Sequence, residues 1–181
     1  MRCRSDAAQG MLASTSHAEE AQARLAAASA YFVENSYPGD WALSQVALAD
    51  FRFGQGDFDV GLALLEGAEA AFAAADMPAM IVYSRVLRGM YYHHLRHFDD
   101  ALNWLLRAEN RARGLRHDRY RALALLETAY LHFEQGDLRR SLDACETVAP
   151  LAAQLGLTFV SGKNALLSAN IHLRLGEYQR A

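Results

Sequence analysis

Apolar residues recur along the chain at helical spacings, three and four positions apart, in two blocks per stretch of forty residues, with turn signals between the blocks. Four of these signals stand in register: GDF at 56–58, RHF at 96–98, GDL at 136–138 and GEY at 176–178. Their third residues, Phe58, Phe98, Leu138 and Tyr178, are each 40 positions apart. The pattern predicts an all-α chain built from repeated helical hairpins. Only three prolines occur, and the plentiful Ala, Leu, Glu and Arg favour helix by intrinsic propensity.

Other columns keep the same register. A small residue stands nine positions before each turn aromatic or leucine, at Ala49, Gly89, Ala129 and Ala169. Another stands three positions after, at Gly61, Ala101, Ser141 and Ala181, with Ala21 one period earlier. Leu25, Leu65, Leu105 and Cys145 follow, then Ala28, Ala68, Ala108 and Val148. Small side chains let two helices cross closely, where a larger group forces the axes apart, and the bulky columns fill the space beside them.

Each hairpin leaves an apolar face that only another copy can bury. The copies therefore stack into an α-solenoid, a right-handed superhelix stabilised mainly by neighbour contacts. Pro38 and Pro78, one period apart, mark the starts of inner helices, since a first-turn position has no helical partner for the missing N–H. Asp57 and Asp137 directly precede second helices and read as N-caps. Pro150 lies thirteen residues into the third outer helix and predicts a kink or an early end near 146–149. The repeats fall at 18–57, 58–97, 98–137 and 138–177, behind a leading segment 1–17 expected to be disordered or partly helical. The closing residues RLGEYQRA open a further copy, which is expected if the sequence is a piece of a longer polypeptide.

The stretch Ala169–Ala181, with a small residue, Gly176, Tyr178 and Ala181 at fixed spacing, resembles the tetratricopeptide repeat (TPR). The resemblance covers the chain from about residue 18 onward. The period here is six residues longer than the family's usual 34. It is similar to the longer-helix repeats of bacterial regulators. Arg96 and His97 depart from the turn pattern, and Arg52, His132 and His172 stand where Tyr92 keeps the family's tyrosine, so the second repeat's turn is the one expected to differ.

The family resemblance implies that the first helix of each hairpin lines a concave groove. Projected onto this chain, the groove columns are Leu43, Tyr83, Leu123 and Lys163; Val46, Val86, Leu126 and Leu166; Asp50, Met90, Tyr130 and Asn170; and Phe53, His93, Phe133 and Leu173. Most are apolar or aromatic, which suits an amphipathic helix or an extended peptide, unless some columns simply pack between neighbouring helices. The family's clamp for a C-terminal carboxylate needs Lys, Arg and Asn repeated along these columns, and only Lys163 and Asn170 appear.

Charge narrows the partners. A net charge of -3 over 181 residues provides no long-range attraction for nucleic acid or an anionic membrane, and no segment has the apolar length of a membrane span. The two cysteines, Cys3 and Cys145, form no disulfide framework and suggest the cytoplasm. Arginines 107, 111, 113, 116, 119 and 121 form a basic run diluted by Glu109 and Asp118 and read as a solvated face, with an anionic partner as the alternative.

His93 and His97 have the four-residue spacing of metal ligands, and His132 and His172 share a column, but no carboxylate or cysteine accompanies them at regular spacing. Histidines beside a helix end explain them more simply. Trp104 shares a column with Leu64 and Ala144 and reads as a packing residue. Neither a phosphate loop, a nucleophile elbow nor a zinc-protease motif occurs, so no catalytic residue, metal or cofactor is assigned. The reading is a non-catalytic scaffold for a protein or peptide segment, the regulatory part of a bacterial signalling protein of the diguanylate cyclase or LuxR/MalT-like kind, with an output domain attached beyond residue 181. A small-molecule or signal-peptide sensor is the alternative, and a metal-dependent enzyme on His93 and His97 a remote one.

Overall fold

A computed structural model describes residues 20–176. The expectations for the leading segment 1–17 and for an element opening at Tyr178 lie outside the described residues. Helix α1 occupies 20–34, and it is followed by α2 (Pro38–Gly54), α3 (Phe58–Ala74), α4 (Pro78–His94), α5 (Phe98–Gly114), α6 (Asp118–Glu134), α7 (Leu138–Gln154) and α8 (Thr158–Leu175). Among the described residues there is no strand.

The first residues of α2 to α8 fall twenty apart. The forty-residue period thus divides into two equal halves, and the connection between hairpins is as tight as the one within them. Each connection is three residues long, and its middle residue is left-handed in every case: Ser36, Asp76, Arg96 and Arg116 at φ between 52° and 63°, and Gly56, Gly136 and Gly156 at φ between 63° and 86°. The next residue's N–H then reaches back five positions, from Asp57 to Arg52 O, His97 to Tyr92 O, His117 to Ala112 O and Asp137 to His132 O, all at 2.9 Å. These bonds satisfy carbonyls that the helix end leaves open, and they need the left-handed residue to turn the chain.

Arg96 therefore does not alter the second repeat's turn. It adopts the backbone glycine adopts elsewhere, at a steric cost of about 1–2 kcal/mol for a residue with a Cβ. Arg116 carries the same strain with an exposed side chain. Arg116→Gly is expected to raise stability by a few tenths to about 1 kcal/mol, the relief of the Cβ clash being partly offset by the entropy glycine gains in the unfolded chain. A urea midpoint at or below that of the parent would show that the turn is held by the arginine side chain.

Pro38 and Pro78 occupy the first turn of α2 and α4 as expected. Of the two expected caps, Asp137 accepts the Arg140 N–H at 3.1 Å, whereas Asp57 caps nothing and takes Arg52 Nη1 at 3.2 Å instead. Pro150 does not end α7, which runs on to Gln154. The proline lies on the exposed side, so the Glu146 carbonyl that loses its helical partner faces water, while Val148 and Ala152 on either side are buried and hold the helix to its neighbours.

The chain divides into two compact units, one ending at Asp76 and one beginning at Met77. In the first, α2 packs on α3, burying Ala42, Val46, Ala49, Leu65, Ala68 and Phe72, and Gln45 Nε2 donates to Ser29 Oγ of α1 at 2.8 Å. In the second, α4 packs on α5, α5 on α6, α6 on α7 and α7 on α8, and the inner helices α4, α6 and α8 also lie side by side. Gly89 of α4 faces Leu105 of α5 so closely that a Cβ on it would sit 2.6 Å from Leu105 Cγ. One period on, Ala129 of α6 meets α7, where Ser141 donates its hydroxyl to the Ala129 carbonyl at 2.7 Å. Asn164 of α8 donates to the Cys145 carbonyl of α7 at 3.0 Å. The Cys145 thiol is pushed up to about 11, chiefly by burial, which makes it a packing residue rather than a nucleophile.

Candidate binding face on the inner helices

Helix α6 shows how the inner face is built. At 3.6 residues per turn, positions 123, 127, 130 and 134 form one narrow stripe. Positions 122 and 129 lie to one side of it and positions 124 and 131 to the other, and all four are fully buried. Together with Leu125 and Phe133 outside it, the stripe keeps contact with solvent. Leu123, Glu127 and Tyr130 are half-buried there, and Glu134 is exposed.

The projected columns divide accordingly. Val46, Val86 and Leu126 are only 6%, 2% and 2% exposed, so this column belongs to the core and does not line a groove. It lies one residue off the stripe, about 100° around the helix from Glu127. Its counterpart Leu166 on α8 is 62% exposed. Leu43, Asp50, Asn170 and Leu173 are exposed, and Phe53, Tyr83, Met90, His93, Leu123, Tyr130, Phe133 and Lys163 are half-buried. Leu43, Val46, Asp50 and Phe53 belong to the first unit, where Phe53 packs edge-on against Phe58 with centroids 4.9 Å apart.

In the second unit the face carries a row of aromatic and sulfur groups. Tyr83 stacks on Tyr120 at 5.4 Å, and Tyr120 in turn stacks on His117 at 4.3 Å. Arg174 lies 4.0 Å above the Phe133 ring. Between these rings lies a cavity of about 270 Å³, lined by Met90, His93, His94 and Arg96 from α4 and its turn, Glu127, Tyr130 and Glu134 from α6, and Lys163 from α8. Arg96 ion-pairs with Glu134, and His93 Nε2 lies 3.4 Å from the same carboxylate. Burial holds the His93 ring below its usual range despite the pull of Glu134. Burial likewise raises Glu127, with Lys163 partly opposing, and raises the Tyr130 phenol.

Glu127, Glu134, His94 and Arg96 were not among the projected residues. Glu127 and Glu134 continue the helical stripe of Leu123 and Tyr130, and that spacing alone could have identified them. Their forty-residue equivalents hid them, because Leu87 and Leu167 at the Glu127 position are core residues.

His93 and His97 do not converge. His93 lines the cavity, while His97 sits at the N-cap of α5 and stacks on Tyr92 at 6.2 Å. His132 is buried, and burial lowers its pKa. No group of three or more potential metal ligands occurs among the described residues. The basic run is not simply a solvated face. Arg113 and Arg121 both bind the buried carboxylate of Glu109, at 2.5 and 3.1 Å, and Arg107 stands 5.1 Å over Trp104, whose ring also carries Arg88 at 3.8 Å. Trp104 is half-buried, with both guanidinium groups against its ring.

No protein-family model matches the sequence. No curated protein matches it either. Solved structures do. The crystal structure of BtubC (BKLC) from P. vanneervenii is similar at a TM-score of 0.68 and 16% identity, over 80% of this chain and 60% of that one. The chain thus spans under two thirds of that relative's length. A Podosopora anserina protein described as a kinesin light chain with nearly identical TPR-like repeats is similar in two crystal structures. Their TM-scores are 0.67 and 0.65, at 16% identity, over 92% of this chain and 82% of that one. Forty-residue helical hairpins, close-crossing small residues and these structural likenesses agree: the chain has the fold of a TPR-like α-solenoid.

Proposed function

We propose that the chain is a non-catalytic scaffold that binds a protein or peptide segment on the inner face of α4, α6 and α8. The observation that carries this reading is the row of Tyr83, Met90, Tyr130 and Phe133. These residues stay half-buried while Val86 and Leu126 beside them are packed into the core. Half-exposed aromatic groups on rigid helices are the usual anchors of a binding surface. The TPR-like fold of the similar structures supports the same use of the face.

The wider setting rests on the resemblance to long-period solenoids of bacterial regulators: the regulatory part of a cytoplasmic signalling protein, with its output in an attached domain. Among the described residues no helix is long and apolar enough to cross a membrane. A sensor of a small molecule is the second reading, favoured by the convergence of charged groups on a cavity of about 270 Å³.

A photo-crosslinking amino acid separates these readings. Placed at Phe133 it is expected to give protein adducts in native extract, and at exposed Glu146 of the outer helix α7 it is expected to give none. Equal labelling at both positions would move the binding surface off the inner face. Absence of adducts at Phe133, with protection of the site by a low-molecular-weight fraction of the extract, would favour the sensor.

A further inference from the structure

The charges around the inner-face cavity are unevenly satisfied. Glu134 is held by Arg96 and approached by His93. Lys163 leans over rings, its Nζ 4.9 Å from the Phe159 centroid and 5.9 Å from that of Tyr130. The Tyr130 hydroxyl donates to the Lys163 backbone carbonyl at 3.3 Å, which fixes the ring on the cavity wall. Glu127 stands two turns before Glu134 on the same stripe, and Lys163 is the one cation acting on it. That ammonium does not close to ion-pair distance. Glu127 is half-buried, and a carboxylate partly removed from water gains when a positive group reaches it.

We propose that the cavity receives the guanidinium or ammonium group of a basic side chain on a peptide lying along the inner face, with the Glu127 carboxylate as its counter-charge. The proposal rests on the peptide-binding reading above. The lining sets two glutamates against Arg96 and Lys163, beside His93 and His94, and Arg96 is already held by Glu134, which leaves the Glu127 carboxylate open to an incoming cation. A bare metal ion would find no cluster of donors among the described residues. Tyr130 and Met90 offer a ring face and a thioether to the stem and head of a long basic side chain. Both also belong to the aromatic row, so the cavity is continuous with the surface that would hold the rest of the peptide.

The burial of Glu127 also has a consequence for stability. Because its folded-state pKa is raised, the native state holds the proton more tightly than the unfolded chain. The ionised side chain then opposes folding above the raised value and does not do so below the unfolded value near 4.5. The titratable groups that line the cavity with it are His93 and His94 from α4, Arg96 from the turn after it, Tyr130 and Glu134 from α6, and Lys163 from α8. Of these, only Lys163 offsets the burial of Glu127. Glu127→Gln is therefore expected to raise the melting temperature at pH 7 and to lose that gain at about pH 4.

The binding test uses the whole chain against an array of immobilised random dodecapeptides. Peptides that bind are resynthesised with each Arg replaced by citrulline and each Lys by acetyl-lysine. The expected result is one basic residue whose neutralisation weakens binding at least about tenfold in the wild type, and an effect that disappears in Glu127→Gln. Peptides that bind without any basic requirement would overturn the proposal while leaving the docking face in place. A charge effect that persists in Glu127→Gln would place the counter-charge elsewhere and overturn it too. No bound peptide, together with no protein adducts at position 133, would remove both this proposal and the reading beneath it. An unchanged melting temperature for Glu127→Gln at pH 7 would show a carboxylate already satisfied, and would count against the proposal without touching the docking face.

Discussion

Leu105→Ala is expected to destabilise the chain by about 2–5 kcal/mol, toward the upper end of that range. Leu105 is fully buried in the core shared by α4, α5 and α6, among Val82, Val86, Ala101 and Ala108. The cost of such a truncation grows with the volume that neighbours fail to refill. Here the nearest surface across the interface is Gly89, which has no side chain to move inward. Gly89→Ala tests the same contact from the other side. In a free helix alanine is better than glycine by about 1 kcal/mol, but here its Cβ would lie 2.6 Å from Leu105 Cγ, a branch atom that cannot swing aside as a chain end can. The overpacking, at about 1–3 kcal/mol, is expected to match or exceed the propensity gain. Combining the two changes should cost less than their sum, because the new methyl enters the void. Additive urea midpoints would mean that residues 89 and 105 do not meet.

The second large effect concerns binding. Replacing Tyr130 and Phe133 together by alanine is expected to weaken capture of an array-selected peptide by about 2–4 kcal/mol, the scale of a pair of aromatic anchors. Both rings are half-buried and near charged groups, Tyr130 beneath Lys163 and Phe133 beneath Arg174. Their loss therefore removes apolar contact area and the rings over which these cations are held. Neither ring is among the fully buried apolar residues of α6, which are Ala122, Ala124, Leu126, Ala129 and Leu131. The fold should thus persist, with an unchanged helical circular dichroism spectrum. A folded double variant that binds the peptide as tightly as the parent would remove these two residues from the surface.

The repeat was legible because translation by forty residues preserves packing. Wherever Ala129 needs a close neighbour, Gly89 and Ala49 need one too, so composition repeats with geometry. The inner face was only partly legible for the same reason. Val46, Val86 and Leu126 form a consistent column because they are core, and consistency alone does not say which way a column points. The charged groups that line the cavity do not repeat, although Met90 and Tyr130 do. Arg96 reaches Glu134 across 38 positions, and, away from the cavity, Arg121 reaches Glu109 across 12, so neither pair appears when one period is laid on the next. Arg96 looked like a broken turn because a glycine is expected at a left-handed position. Its φ of 63° shows the turn kept and the side chain turned to another purpose. Pro150 was read from its chemistry without its exposure, and exposure decides whether a lost helical bond is replaced by water.

The sameness of the turns bears on how such a chain changes length over generations. Residues 96 and 136 both stand in the left-handed bend that links an inner helix to the outer helix after it. An excision or duplication of forty residues between two such bends rejoins an inner helix to an outer one through a junction that already exists in the molecule. What changes is the match across the new interface: α4 set against α7 would bring Gly89 opposite Cys145 in place of Leu105. Heritable variation in the number of hairpins is thus limited by side-chain fit between strangers, while the backbone tolerates it at every joint.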